Sequence, residues 1–95
     1  MGTFEWDEDK DKANIQKHGV PLAAGIPVFE DVFRLEYLDT RHDYGEERYI
    51  TIGFNGMSHI LYVCYTLRGQ GTTRLISVRA ATRQERRYYE QEAGR

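Results

Sequence analysis

The chain has 95 residues, of which 40% are hydrophobic and 29% charged, and a formal net charge of −2. A chain of this length forms one core, so we expect a single domain over residues 1–95, and its composition excludes disordered and fibrous proteins. No apolar run approaches the roughly 20 residues of a membrane-spanning helix, and the first residues are acidic where an export signal would be basic. These features predict a cytoplasmic protein without membrane contact.

Charge is distributed unevenly along the chain. Residues 1–47 contain 12 acidic and 5 basic side chains, whereas residues 48–95 contain 3 acidic and 8 basic ones, and all eight are arginine. Arginine suits bidentate contacts with phosphate and stacking on bases. The asymmetry indicates an anionic partner for the second half, whose guanidinium groups are expected to gather at one place. A solvated arginine-rich surface is the alternative.

The first third of the chain has the signals of a short strand and two helices. Residues 3–6 alternate between apolar and polar and predict a strand. Asp7 is positioned to cap a helix that ends at Gly19, which is expected to be left-handed and follows two basic residues. A second helix is predicted over residues 22–26, short or kinked because Pro27 lacks an amide proton.

Four strands follow, over residues 32–38, 48–52, 59–67 and 73–79. Each alternates or is continuously apolar, and the third is the most apolar, as expected of a central strand. The connections between them are short, and one contains the hairpin signal Asn55-Gly56, so the pattern predicts an antiparallel meander. In the last strand, Arg79 is predicted to share a face with Ser77 and Leu75.

A capping box opens the final helix. Thr82 and Glu85 are spaced so that each side chain can accept a hydrogen bond from the other residue's backbone amide. The predicted fold is therefore α+β, with a single antiparallel β-meander sheet, two N-terminal helices and one C-terminal helix packed on it.

Three sequence motifs resemble those of the BrnT family. They are Phe4-Glu5-Trp6-Asp7 with Lys10, Asn14 and Lys17-His18-Gly19-Val20; the run from Glu46 to Gly53; and the run from Ile76 to Thr82 with Glu85, Arg86 and Tyr88. They follow one another over nearly the whole chain. The resemblance implies a RelE-like toxin fold and a toxin of a type II toxin–antitoxin system that cleaves RNA, with messenger RNA as the expected target, without a metal or cofactor.

The same resemblance implies a protein partner. This is an antitoxin with a ribbon-helix-helix DNA-binding domain, similar to BrnA, which blocks the toxin. The complex of the two proteins is expected to repress its own operon. Contact with operator DNA would then occur only through the antitoxin complex.

Metal-free RNA cleavage needs three kinds of group. A base removes the proton of the ribose 2′-hydroxyl, cations stabilise the phosphate oxygens, and an acid protonates the departing 5′-oxygen. The upstream product then carries a 2′,3′-cyclic phosphate. The catalytic candidates are His18, Glu47, Arg48, Arg79 and Arg83. His18 is a candidate acid or base, and it lies at a predicted helix end where the dipole favours the protonated ring, which suits an acid or a phosphate-binding cation. Glu47 is a candidate general base.

Five further residues are candidates for RNA binding. Lys10 and Lys17 recur at helical spacing on one face, and Arg68 lies in a glycine-flanked hairpin where it can follow the RNA backbone. Tyr49 and Tyr88 can stack on bases or donate to phosphate. The alternatives are a solvated lysine face, tyrosines packed in the core, and arginines that serve only as surface charge or partners of nearby acids.

Metal chemistry is not expected, because the three histidines are scattered without the spacing of metal ligands. They are His18, His42 and His59. Two other classes of function fit the arginine-rich half equally well. One is a non-catalytic nucleic-acid-binding module, and the other is a protein-interaction module that docks an acidic partner.

Overall fold

A five-stranded sheet forms the centre of the computed structural model, which describes residues 2–41, 43 and 45–93. The strands are β1 (Thr3–Glu5), β2 (Leu35–Asp39), β3 (Arg48–Phe54), β4 (Ile60–Arg68) and β5 (Thr72–Ala80). The helices are α1 (Glu8–His18), a 3-10 helix (Leu22–Glu30) and α2 (Arg83–Ala93). The sheet order is β1-β5-β4-β3-β2, which confirms the α+β class. His42 lies outside the described residues.

The sheet is mixed, so the prediction of a purely antiparallel sheet was wrong. Strands β2 to β5 form the expected antiparallel meander, but β1 runs parallel to β5, with Thr3 opposite Thr72. Short connections dictate antiparallel pairing. No short connection joins β1 to β5, because most of the chain lies between them, so packing alone sets the direction of β1.

Helix α1 begins and ends where its sequence predicts. The Asp7 carboxylate accepts a hydrogen bond from the Lys10 amide at 3.0 Å. Gly19 ends the helix with a φ of 78°, and its amide donates to the Ile15 carbonyl at 2.8 Å. Glycine adopts this left-handed conformation without steric cost. The two caps place Lys17 and His18 in the last turn of the helix.

The second helix is a 3-10 helix and runs four residues beyond the predicted end. Its buried residues are Leu22, Gly25 and Val28, which recur every third position. A 3-10 helix has three residues per turn, so this spacing places all three on one side. A Cβ added at Gly25 would lie 3.0 Å from Val78 and 3.1 Å from Val63, so the glycine permits close packing on the sheet.

Strand β2 begins three residues later than predicted. The Asp31 carboxylate accepts a hydrogen bond from the Phe33 amide at 2.9 Å, and the Asp31 carbonyl accepts one from the Arg34 amide at 3.1 Å. These bonds hold residues 31–34 in a turn. An aspartate that bonds the backbone two residues ahead competes with strand formation, which explains the difference.

The sheet separates two apolar clusters, one on each face. On the first face, beneath the 3-10 helix, lie Leu22, Val28, Leu61, Val63, Tyr65, Leu75 and Val78. On the second face, beside α2, lie Ile50, Ile52, Tyr62, Cys64 and Tyr89. None of the described helices is long and apolar enough to cross a membrane. The second face is the one that positions the candidate site.

A bulge in β5 changes which side chains share a face. Leu75 and Ser77 pair with successive residues of β4, so Ile76 is the extra residue. The bulge reverses the alternation. Leu75 therefore lies on the first face with Val78, whereas Arg79 lies on the second face with Ser77. The prediction that Arg79 shares a face with Leu75 was wrong, and the prediction for Ser77 is confirmed.

Helix α2 is anchored at its start and by one buried tyrosine. The capping box is confirmed: the Glu85 amide donates to Thr82 Oγ1 at 3.1 Å, and the Thr82 amide donates to Glu85 Oε1 at 2.9 Å. Farther along, the Tyr89 hydroxyl donates to Asp31 Oδ2 at 2.5 Å, and the same oxygen accepts the Phe54 amide at 2.8 Å. These bonds hold α2 against the second face.

Candidate active site

A cleft of about 360 Å³ lies on the second face, between α1 and the sheet. It is lined by Lys10, Ala13, Asn14, Lys17 and His18 of α1, Arg41 after β2, Tyr62 of β4, and Ile76, Ser77 and Arg79 of β5. The fold thus brings together four of the predicted site residues, three from α1 and Arg79 from β5. Arg41 and Tyr62 are site residues that sequence reasoning missed.

The cleft is strongly cationic. Four of its lining side chains are lysine or arginine, a histidine lies beside them, and none of the described lining residues is acidic. The carboxylates of Asp39 and Glu85 contact two of these arginines without lining the cleft themselves. A concave surface with one sign of charge concentrates the opposite sign, so this cleft suits an anion such as a phosphate group.

Arg79 is held in a defined orientation. Its two Nη atoms donate to the Glu85 carboxylate at 2.8 and 3.0 Å, and Nη1 also donates to the Ala80 carbonyl at 3.2 Å. Its guanidinium carbon lies 3.7 Å from the centre of the Tyr62 ring, a cation–π contact. Among the described residues these bonds engage three of the five guanidinium N–H groups, which leaves Nε–H and one Nη2–H for a phosphate.

Arg41 is the second arginine of the cleft. Its Nε and Nη2 atoms donate to the two Asp39 oxygens at 2.8 and 2.9 Å. The Asp39 side chain is 1% exposed and that of Arg41 is 59% exposed, so a buried acid holds an exposed cation. The only signal in the sequence is an acid two positions before an arginine at the end of a strand, and that pattern is too common to identify a site.

Asn14 fastens α1 to the sheet and thereby forms the wall of the cleft. Its Nδ2 donates to the carbonyls of Val20 and Val78, each at 2.8 Å, and its Oδ1 accepts the Val78 amide at 3.1 Å. β1 pairs with β5 only as far as Arg74, so the outer edge of β5 at Val78 has no neighbouring strand. The Asn14 amide group bonds to the edge of β5 where a neighbouring strand would, and the residue is buried.

The environment of His18 favours the neutral ring. Burial lowers the pKa of His18 below 6.5, and the nearby cations Lys17 and Arg79 lower it further. The sequence had predicted the opposite, because the dipole at a helix C-terminus stabilises the protonated form. Desolvation and two neighbouring positive charges oppose that effect. A neutral imidazole can accept a proton, so His18 has the state required of a general base.

Six predicted site residues lie outside the cleft, and four of them are at the end of the β3–β4 pair away from its hairpin. Arg68 and Arg48 approach Glu46 at 3.1 and 3.5 Å. The Tyr49 hydroxyl donates to Glu47 Oε1 at 3.1 Å, and the Tyr49 ring packs against the first-face cluster. These residues do not meet His18 or Arg79, and the fold gives them partners of their own.

The second-half arginines that the structure describes do not gather in the cleft. Arg74 pairs with Glu5 at 2.7 Å, while Arg83 and Tyr88 are exposed on α2. Of the second-half arginines that the structure describes, only Arg79 lines the cleft, and its other cations come from the acidic first half. The expectation that the charge asymmetry along the sequence would become one arginine cluster was wrong, because elements from both halves lie side by side in the fold, as β1 does with β5.

A larger groove, of about 550 Å³, lies on the first face. Phe29, Leu38, Tyr65 and Leu67 are among its lining residues, and none of the described lining residues is a cation. Since this lining includes Glu36 and offers no cation to a phosphate, we place the candidate site in the smaller cleft. Within the described part of the chain, no three His, Cys, Asp or Glu side chains lie together as metal ligands.

Comparisons with known proteins agree on one family. The sequence pattern of the family described as "Ribonuclease toxin, BrnT, of type II toxin-antitoxin system" matches residues 6–85. The crystal structure of the Brucella abortus ribonuclease toxin BrnT is similar, with a TM-score of 0.65 and 26% identity over 87% of this chain and 100% of that one. No curated protein sequence matches. Because the family pattern covers most of the chain, the chain belongs to the BrnT family of ribonuclease toxins of type II toxin–antitoxin systems.

Proposed function

We propose that this protein is a metal-independent endoribonuclease that cleaves messenger RNA in the cationic cleft between α1 and β5. The observation that carries the proposal is the composition of the cleft: four cations and a histidine favoured in its neutral form surround one cavity without an acidic lining residue among those described. Such a site can bind a phosphodiester and accept a proton from the ribose beside it.

In the proposed reaction, His18 accepts the proton of a ribose 2′-hydroxyl. The 2′-oxygen attacks the adjacent phosphorus, the bond from phosphorus to the 5′-oxygen breaks, and that oxygen takes up a proton from solvent. The products carry a 2′,3′-cyclic phosphate and a 5′-hydroxyl. The unengaged N–H groups of Arg79 and the ammonium of Lys17 stabilise the added charge on the phosphate oxygens.

RNA binding is proposed to follow α1. Lys10 and Lys17 lie on the exposed surface of this helix, and Arg41 faces them across the cleft. Together they provide phosphate contacts that are independent of sequence. Arg83 is exposed in the first turn of α2 and would contact the backbone beyond the cleft. Glu47 accepts a hydrogen bond from the Tyr49 hydroxyl and does not line the cleft, so we assign the base to His18 instead.

The partners follow from the family. Toxins of type II systems have a protein antitoxin and, being ribonucleases, an RNA substrate. We propose further that the antitoxin has a ribbon-helix-helix domain and is similar to BrnA, and that operator DNA is bound only through the complex. A cytoplasmic location and a RelE-like relationship of the fold belong to the same proposal, which is supported by the resemblance of the three sequence motifs.

The test of the proposed function is cleavage of single-stranded RNA by the purified protein in the presence of EDTA. We expect shortened products whose new ends carry a 2′,3′-cyclic phosphate. Binding without cleavage would favour the non-catalytic nucleic-acid-binding module instead. Cleavage that stops with EDTA and returns with Mg²⁺ would contradict metal independence.

The pH dependence of cleavage tests His18 as the base. We expect kcat/KM to rise with pH through the His18 pKa, which lies below 6.5, because only the neutral ring accepts a proton. Lys17→Ala removes a charge that lowers this pKa, so the acidic limb should move to higher pH. His59→Ala, which changes an exposed histidine in a hairpin, is the control and should leave the profile unchanged. A profile that is flat below neutral pH would exclude His18.

A further inference from the structure

Tyr37 is a half-exposed aromatic residue on the edge strand of the sheet. Strand β2 is the last in the sheet order, and Tyr37 is 43% exposed. In the β2–β3 pair it lies opposite Ile50, which belongs to the second-face cluster. Cross-strand partners in a pair point to the same side. The Tyr37 side chain therefore points to the face that carries the cleft, while the residue, which lies on the edge strand, also borders the larger groove of the first face.

The register connects Tyr37 to the cleft across the sheet. Ile50 pairs with Cys64, and Cys64 pairs with Ser77, which lines the cleft. The row from Tyr37 to Ser77 spans three strand spacings, about 14 Å between the Cα atoms at the ends. Tyr37 thus lies on the second face at the β2 edge of the sheet, across the buried residues Ile50 and Cys64 from Ser77.

The electrostatic surroundings of Tyr37 agree with this position. Burial raises the pKa of Tyr37 to about 12 and the nearby Tyr62 and Glu85 raise it further, while the charges of Arg41 and Arg79 act in the opposite direction. Both cleft arginines are therefore close enough to influence the phenol. The ring remains uncharged at neutral pH, so it does not repel a phosphate bound beside it.

The two sides of this surface complement the two parts of a nucleotide. Cations on the α1 side and on β5 suit the phosphate, and an aromatic ring on the β2 side offers a surface for a base, the combination used by proteins that bind single strands. The Tyr62 ring lies under the Arg79 guanidinium at 3.7 Å, so that face of Tyr62 is occupied. Tyr37 carries no such cation on its ring among the contacts of the described residues.

We propose that Tyr37 forms a nucleobase-stacking subsite, which takes an unpaired base next to the phosphate held in the cleft. The inference rests on the proposed ribonuclease function and adds to it a requirement for single-stranded RNA. Stacking accepts every base, because each has a π face. The subsite would therefore contribute to affinity and would select unpaired over paired RNA.

Binding measurements test this without depending on cleavage. The probe is an all-2′-O-methyl RNA oligonucleotide, which cannot react through a 2′-hydroxyl, and a fully abasic strand of the same length is its control. Tyr37→Ala is expected to raise the Kd for the intact oligonucleotide about 5- to 100-fold. Tyr37→Phe should bind as the wild type does, since it keeps the ring. Tyr37→Leu, which keeps apolar bulk for packing, should lose affinity as the alanine variant does.

A matched control lies next to Tyr37 in the chain. Leu38 is 45% exposed, close to the value for Tyr37, but points to the first face, so Leu38→Ala should leave the Kd unchanged. The wild type should bind the abasic strand more weakly than the intact one, whereas Tyr37→Ala should bind both alike. An unchanged Kd in Tyr37→Ala, or an equal loss on both strands, would overturn the subsite. Absence of cleavage of unmodified RNA would instead refute the ribonuclease proposal.

Discussion

Replacing Arg79 with alanine is expected to lower kcat for RNA cleavage by about 10²- to 10³-fold, the usual effect of removing one preorganised donor to a developing oxyanion. The guanidinium is oriented by Glu85 and by the Tyr62 ring, and two of its N–H groups point to no described partner. Because these donors are already oriented, they need little rearrangement when negative charge develops on the phosphate oxygens. Growth arrest caused by expression of the protein should disappear with the activity. Single-turnover cleavage and growth after induction are the two measurements.

The matched control for this variant is Arg74→Ala. Both arginines lie on β5, their side chains are 27% and 30% exposed, and each pairs with a glutamate, but Arg74 pairs with Glu5, away from the cleft. Arg74→Ala should retain activity. Arg79→Lys keeps the charge but not the planar fork and should recover only part of the loss. Full toxicity of Arg79→Ala would remove this residue from the site.

Asn14→Ala is expected to reduce the free energy of unfolding by about 2–5 kcal/mol, because a buried group left without its partner costs about 1–3 kcal/mol. The substitution leaves the Val78 amide, the Val78 carbonyl and the Val20 carbonyl without their bonds to the side chain. The midpoint of urea denaturation should fall accordingly. Asn14 also attaches α1 to β5. In the fraction of molecules in which α1 separates from β5, the cleft should therefore lose the wall that α1 forms.

Two further variants make the Asn14 prediction specific. Gln16→Ala changes an exposed amide on the same helix and should alter stability by no more than about 0.5 kcal/mol. Asn14→Asp keeps an acceptor for the Val78 amide but places a carboxylate against two carbonyl oxygens, so it should be at least as destabilising as alanine. Equal stability of Asn14→Ala and Gln16→Ala would show that the side-chain bonds of Asn14 contribute nothing.

The helix ends were predictable because they depend on neighbouring residues only. Asp7 and Gly19 bound α1 as expected, and the Thr82–Glu85 box opens α2. The antiparallel order of β2 to β5 follows from short connections in the same way. Part of the site was predictable too, because Lys10, Lys17 and His18 share one helix face, and the spacing of a helix is a local property.

The local geometry of this chain therefore follows from its neighbouring residues: where helices begin and end, which strands form hairpins, and which side chains share one face of α1. Three other features come from the folded chain as a whole: β1 runs parallel to β5, a bulge at Ile76 turns Arg79 toward the second face, and Arg41 enters the cleft. Those outcomes depend on contacts between residues far apart in the chain. Their energies come from packing and burial, which no short stretch of sequence contains.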